Sequence, residues 1–368
     1  MQVPFLDLQG EYQLLGDDIR TAVLEVLASG SYILGPKGRQ LEQDLAAYVG
    51  TKHALGVANG TDALLLTLEA LGIGLGDEVI TTPFTFFATA EVIASTGATP
   101  VFVDIDPATY NLDPNLLEAA ITARTKAVLL VHLFGQVADM EKIQSIAAAC
   151  NVPVIEDACQ AMGASYQGKK AGSFGIAGCF SFFPTKNLGG FGDGGLITTD
   201  DDDLAHKIIG LRNHGSYEKY VHVQLGLNSR LDELQAAVLS VKFKVLDAWN
   251  EKRRALAQRY TRHLQGIVQT PAVAPDREHI YHQYSIESPQ RDTLAAHLQA
   301  KGIATGIYYP IPLHLQQVFS PLGHCAGDFP VSEAAARRIL ALPIHPLLTE
   351  VQQDYVIEAI RESAGDRS

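Results

Sequence analysis

The stretch AVLLVHLFGQVADMEKIQSIAAACNVPVIEDA (127–158) holds two short apolar runs with an amphipathic segment between them. AVLLVHLFG (127–135) and VPVIEDA (152–158) are rich in Val, Ile and Leu and do not alternate with polar residues, the pattern of strands buried on both faces. ADMEKIQSIAAAC (138–150) has helical periodicity. A strand, a helix and a second strand in that order predict a parallel pair with a crossover helix. The same rhythm extends outward from residue 50 to 210. HALGVA (53–58), EVITT (78–82), TPVFVDI (99–105), GCFSFF (178–183) and GGLITT (194–199) read as further strands, with TDALLLTLEALG (61–72) as a helix between two of them. The fold class is therefore α/β with a mostly parallel sheet. In such sheets ligands sit beyond the carboxyl ends of the strands.

The rhythm changes near residue 230. A continuous helical pattern runs from Arg230 to Gln265, followed by Pro271, Pro275 and short mixed elements. This predicts a large domain over 1–247, with an N-terminal arm, and a smaller C-terminal α+β domain over 248–368.

With 368 residues the chain can bury a sizeable core. Its formal charge of −13, without a Lys/Arg cluster, argues against nucleic acid or an anionic membrane as partner. A small anionic ligand stays open, because helix N-termini and a few placed cations act locally. The four cysteines form no CxxC pair, and no His cluster has zinc-finger spacing, so no metal site is expected. The first residues lack a basic segment followed by an apolar one, and no apolar run reaches the roughly 20 residues of a membrane span. The expectation is a soluble cytoplasmic protein.

Three segments carry chemistry. In VPVIEDACQAMGA (152–164), Asp157 ends a strand where a ligand crevice is expected, and Gln160 follows within one helical turn. Asp157 is equally readable as a cap or turn acid. In GCFSFFPTKNLGGFGDGG (178–195), an aromatic strand delivers Ser181 and Lys186 into a glycine-rich loop. Among Phe180, Phe182, Phe183 and Phe191 the lysine loses hydration, which lowers its pKa and makes it a nucleophile toward carbonyls; a snorkelling surface lysine is the alternative. In ANGTDALLLTLEALG (58–72), Gly60 and Thr61 open a helix whose free N–H groups suit a phosphate, or are simply capped by Asn59. Together these describe the needs of pyridoxal phosphate (PLP): a lysine for the imine, an acid at the ring nitrogen and a phosphate cup.

PFLDL (4–8), SYILGP (31–36), NGTDAL (59–64), TPFTFFAT (82–89), VDIDPATYNLDP (103–114), HLFGQ (132–136), EDACQAMGA (156–164), SFFPTKNLGGFGDGG (181–195), LRNHGS (211–216), GLNSRLDELQAA (226–237) and YYPIPLHLQ (308–316) together resemble the DegT/DnrJ/StrS group of nucleotide-sugar aminotransferases over essentially the whole chain. The resemblance implies a fold-type I PLP-dependent transferase with a seven-stranded sheet, and a homodimer with shared active sites. It gives Lys186 the cofactor linkage and Asp157 the ring nitrogen. Gln160 falls near the phenolic oxygen, and Gly60, Thr61 and Ser181 on the phosphate. Phe86 is the stacked ring, with Phe84 and Phe87 as neighbours that blur the match. Asn228 is a phosphate ligand donated by the partner.

Within the family, the likeness is nearest to enzymes that aminate C3 of UDP-2-acetamido-2-deoxy-3-oxo-glucuronate for surface polysaccharides, with L-glutamate as the usual donor. There, positions matching Arg230 and Tyr308–Tyr309 hold the sugar carboxylate, but this chain has Tyr308 where those enzymes have His. A dTDP- or GDP-linked 3-keto or 4-keto-6-deoxy sugar is the near alternative, and a PLP-dependent sugar dehydratase or a non-catalytic regulator the remote ones. His132, His214, His222, His282 and His314 either line the site or are structural; His314, in YYPIPLHLQ, is placed with the sugar contacts.

Overall fold

The computed structural model describes residues 1–365. The expected strands all form: β1 (His53–Val57), β2 (Glu78–Thr81), β3 (Thr99–Phe102), β4 (Thr125–Val131), β5 (Val154–Asp157), β6 (Ala177–Ser181) and β7 (Gly195–Thr199). They make one seven-stranded sheet in the order β1-β7-β6-β5-β4-β2-β3. β7 pairs antiparallel with both β1 and β6, and every other pairing is parallel. This is the seven-stranded, mostly parallel sheet that the resemblance implies.

Among the described residues twelve α-helices accompany the strands. α1 (Leu8–Ser29) and α2 (Pro36–Val49) precede the sheet, and α3 (Gly60–Ala70), α4 (Ala88–Ser95), α5 (Pro114–Ala120), α6 (Met140–Ala149) and α7 (Asp202–Leu211) are interleaved with it. Two apolar clusters cover its faces. One sets Val128, Leu130, Phe180 and Leu196 against Leu41 and Ile143. The other sets Leu129, Ile155 and Ile197 against Leu64, Leu68 and Ile208. Alternate residues of β4 thus fall in opposite clusters, the burial pattern its uninterrupted Val/Leu run predicts.

The helical run from Arg230 to Gln265 is not one helix. It divides into α8 (Glu233–Phe243) and α9 (Leu246–Leu264). The break at Lys244–Val245 contains neither glycine nor proline, so no local residue type imposes it. The two helices serve different cores. α8 adds Ala236 and Leu239 to the sheet's cluster, whereas α9 adds Ala257, Tyr260 and Leu264 to a C-terminal one. That second core is built on the antiparallel pair β8 (Tyr284–Glu287) and β9 (Ile339–Leu342), with α10 (Arg291–Ala300) and α12 (Glu350–Gly365) around it, while α11 (Pro330–Arg338) sets Ala335 and Ala336 against Phe84 and Val131. Val3, from the other end of the chain, is buried in it and bridges Ile303. The N-terminal arm is thereby tied to the C-terminal half and passes over the sheet's carboxyl edge. No helix among the described residues is long and apolar enough to cross a membrane.

Candidate active site

Register brings the three chemical segments together. Gly195, the first residue of β7, pairs with Val57 on one side and with Ser181 on the other. The carboxyl ends of β1 and β6, and the start of α3 just beyond β1, therefore meet at one point. The approach is close: a Cβ on Gly195 would stand 2.3 Å from the Asn59 carbonyl oxygen, and one on Gly60 would stand 2.7 Å from the Ser181 Cβ. Asn59 caps α3 by accepting from the Asp62 N–H at 2.8 Å. The N–H groups of Gly60 and Thr61, at the helix's first turn, have no intrahelical acceptor. With the Thr61 and Ser181 hydroxyls they form the cup expected for a phosphate.

In the next two strands Asp157 lies in register with Val131 of β4 and Cys179 of β6. It is buried, at 5% exposure. Its Oδ2 accepts from the Thr89 hydroxyl at 2.8 Å, and its Oδ1 from the Cys159 N–H at 3.2 Å. The Thr89 proton is spent on the carboxylate, so Thr85, 3.2 Å away, is the donor in its hydrogen bond with Thr89. Glu156 lies beneath. It accepts from the Gly172, Phe174 and Gly175 N–H groups and from His132 Nε2 at 2.8 Å. His132 Nδ1 accepts from the Ala138 N–H, so this buried histidine holds backbone and does not reach the ligand space.

Asp157, Lys186, Gly60, Thr61 and Ser181 all border one cavity of about 740 Å³. Lys186 lines it, and its amine has no hydrogen-bond partner among the described residues. Burial lowers the lysine pKa from its ordinary 10.5, opposed by the neighbouring Cys159 and Asp157. Burial raises the Cys159 thiol well above its usual range, so it stands beside the site as a neutral S–H. Gln160 accepts from the Phe134 N–H at 2.7 Å and donates to the Tyr309 hydroxyl at 3.0 Å, which fixes both at the cavity wall. Of the three phenylalanines in TPFTFFAT, Phe86 alone borders the cavity. Phe84 is fully buried, and Phe87 packs on Phe319.

Tyr308 also lines the cavity, with its ring 6.0 Å from that of Phe5. Asn228 and Arg230 do not line it. Asn228 is exposed on a bridge to Asn213, and Arg230 donates to Asn213 Oδ1 at 2.9 Å. His314, expected with the sugar contacts, does not line the cavity either. Its ring is 1% exposed, hydrogen-bonded through Nε2 to Glu333 and packed on Phe329, away from the cavity. His214 and His222 meet each other, His222 Nδ1 donating to the His214 carbonyl. His282 does line the cavity.

The sequence reading missed Thr85 and Thr89, which carry no catalytic signature of their own, and the arm residues Phe5 and Leu6, which reach the cavity only through the Val3–Ile303 bridge. It also passed over Gln283 and Asp193.

An amine without a partner, a buried acid on the same wall, an exposed aromatic ring and a cup too tight for a Cβ fit pyridoxal phosphate. Residues 13–361 match the model of the DegT/DnrJ/EryC1/StrS aminotransferase family. The chain is 54% identical to a "pleiotropic regulatory protein" of Geobacillus stearothermophilus, covering 98% of each. It is 48% identical to a UDP-N-acetyl-3-dehydro-alpha-D-glucosamine 3-aminotransferase of Acidithiobacillus ferrooxidans, again over 98% of each. It superposes on Streptomyces venezuelae DesV, crystallised with a ketimine intermediate, with a TM-score of 0.97 at 45% identity, covering 99% of this chain and 98% of that one. The chain belongs to the DegT/DnrJ/EryC1/StrS aminotransferase family, as a PLP-dependent nucleotide-sugar aminotransferase.

Proposed function

We propose that the protein moves an amino group from L-glutamate to C3 of a UDP-linked 2-acetamido-3-oxo sugar without a carboxylate at C6. The observation that carries the last clause is the charge of the cavity wall. Lys186 is the one Lys or Arg among the residues lining it, while Asp62 and Asp193 line it too. A C6 carboxylate there meets two like charges and Tyr308, which offers one neutral hydrogen bond. The 48% identical relative is named for a 3-oxo sugar of that kind. The glucuronate expected from the sequence is the second reading. It rests on Arg230, whose guanidinium suits a carboxylate but in this chain is turned to Asn213.

In either case the residues have the same tasks. Lys186 Nζ holds the cofactor, is freed when the donor binds, and as a desolvated amine takes and returns the proton of the reacting carbon. Asp157, held by Thr89, keeps a proton on the ring nitrogen. The cofactor, when bound, supplies the electron sink. A homodimer with Asn228 reaching the neighbouring site is part of the proposal. Large apolar side chains exposed on α1 (Leu14, Leu24, Leu27) and at Tyr220, Val223 and Leu225 near Asn228 support an interface there.

The test is a panel of nucleotide-linked keto sugars with glutamate, scored for 2-oxoglutarate. Release with the neutral UDP 3-oxo sugar, well above that with its uronate, is expected. Preference for the uronate reverses the order of the two readings. Turnover confined to 6-deoxy sugars on dTDP or GDP removes both.

A further inference from the structure

His282 lies at the cavity wall, 8% exposed, on a backbone turn where Tyr281 adopts a left-handed φ of 47°. Its hydrogen bonds determine which nitrogen carries the proton. Two backbone carbonyls, which can only accept, set the order. Asn250 Nδ2 donates to the Met162 carbonyl at 3.2 Å, so the Asn250 oxygen faces Asn187. Asn187 Nδ2 donates to that oxygen at 2.7 Å and to the Ile280 carbonyl at 3.2 Å. Both Asn187 amide protons are then used, and its Oδ1 is an acceptor. The group opposite, 3.3 Å away, is His282 Nδ1, which must donate. The proton is thus fixed on Nδ1 by a relay that leaves neither amide free to flip.

The ring is also neutral. Burial, helped by the charges of Lys186 and Arg253, holds its pKa well below 6.5. A neutral imidazole with its proton on Nδ1 carries a lone pair on Nε2. That atom has no partner among the described residues, and the Lys186 amine does not bond to it. The next residue, Gln283, is 6% exposed, lines the same cavity, and its Oε1 is buried without a partner. Gln283 Oε1 is therefore desolvated and unmatched by the protein, and beside it His282 Nε2 is an unpartnered acceptor on a residue that lines the cavity, an arrangement that a ligand's donors complete. Asn187 directly follows Lys186, so the relay sets this wall next to the reacting amine.

We propose that His282 binds the keto sugar, its Nε2 accepting a hydrogen bond from a hydroxyl or N–H adjacent to the reacting carbon, with Asn187 and Asn250 as the positioning residues that hold the ring in the accepting tautomer. The assignment rests on the sugar being the substrate class, not on which sugar it is.

Two substitutions separate this role from a structural one. His282→Gln keeps an acceptor near the Nε2 position and loses the Nδ1 donor; His282→Asn does the reverse. Half-reactions are followed by the cofactor's absorbance, first with glutamate, then with whichever nucleotide keto sugar the wild type aminates. Both variants should react with glutamate within about threefold of wild type, while the sugar half-reaction falls about tenfold or more in H282N and recovers in H282Q. The opposite rescue, or equal loss in both half-reactions, overturns the proposal. A third readout needs no variant and no cofactor. In ¹⁵N NMR spectra of the wild-type apoprotein, His282 should be a neutral ring protonated on Nδ1. A ring protonated on Nε2, or a charged ring at pH 7, overturns the proposal however the variants behave.

Discussion

The Thr89 hydroxyl donates to Asp157 Oδ2 at 2.8 Å, within a pocket that excludes water from both. The acid proposed for the cofactor's ring nitrogen is thus aimed by a helix that follows a different strand. Thr89→Val keeps the shape and removes the donor. One buried carboxylate oxygen then loses its partner, at a cost of about 1–3 kcal/mol. The expected result is a fall in kcat of about tenfold with little change in KM, read in steady-state kinetics. Asp157→Ala should cost far more, because the proton on the ring nitrogen then has no counter-charge. Equal rates for T89V and wild type would show that Asp157 needs no second anchor.

Among the described residues Lys186 is the only lysine or arginine at the cavity. Borohydride reduction of the holoenzyme should add the cofactor's mass to the peptide containing Lys186 and to no other. Lys186→Ala should abolish transamination while the protein stays folded, since the lysine amine makes no hydrogen bond that the fold needs. Near-normal turnover of K186A would refute the assignment outright.

How far the residues announce all this depends on the distance over which each feature is determined. The strands were legible because each is a short, apolar run, and burial on both faces leaves no other stable reading. Asp157 was legible because it ends such a strand, and Lys186 because a strand delivers it into a glycine-rich loop. The division between α8 and α9 was not, because KFKVLD holds no breaker and the cause is two separate cores. Phe5 was not, because a single bridge at Val3 places it. His314 and His282 look alike in sequence. One bonds Glu333 through Nε2 and lies outside the cavity, the other lines it, and only the residues packed around them distinguish the two.

Two buried histidines predict acid sensitivity. Burial, with Arg253 nearby, lowers His345 to about 4, and neither ring nitrogen has a partner among the described residues. Burial lowers His279 to about 3. In the unfolded chain both bind protons below the ordinary 6.5, while the folded protein binds them only near 4 or 3. Between these values the unfolded state carries more protons, so stability must fall as pH falls from 6.5 toward 4. Denaturant midpoints should drop over that window. His345→Gln should flatten the slope, and an unchanged slope in that variant would exclude His345 as a source.

Gly195 is required by proximity and not by backbone conformation, since a Cβ there meets the Asn59 carbonyl at 2.3 Å. Gly195→Ala must push β7 from the start of α3. The strain, of about 1–3 kcal/mol, falls on the phosphate cup. The variant should bind PLP more weakly, by roughly tenfold or more, and lose yellow colour on dialysis while its circular dichroism is unchanged. Retention of cofactor equal to wild type would mean the cup is not where Gly60, Thr61 and Ser181 place it.

Tyr308 and His314 come from one segment and should behave oppositely. Tyr308 faces the cavity beside Phe5, and burial raises its hydroxyl pKa, so it acts as a neutral donor. Removing that hydroxyl in Tyr308→Phe costs one hydrogen bond to the sugar, about 0.5–1.5 kcal/mol. The KM for the sugar should rise up to about tenfold, and the rate with glutamate alone should not change. His314 is sealed between Glu333 and Phe329. His314→Gln should leave the sugar KM within about twofold, because nothing it touches reaches the cavity, but should lower the denaturant midpoint by breaking a buried pair. A large KM effect in H314Q with unchanged stability would return His314 to the substrate side and require this segment to rearrange when the sugar binds.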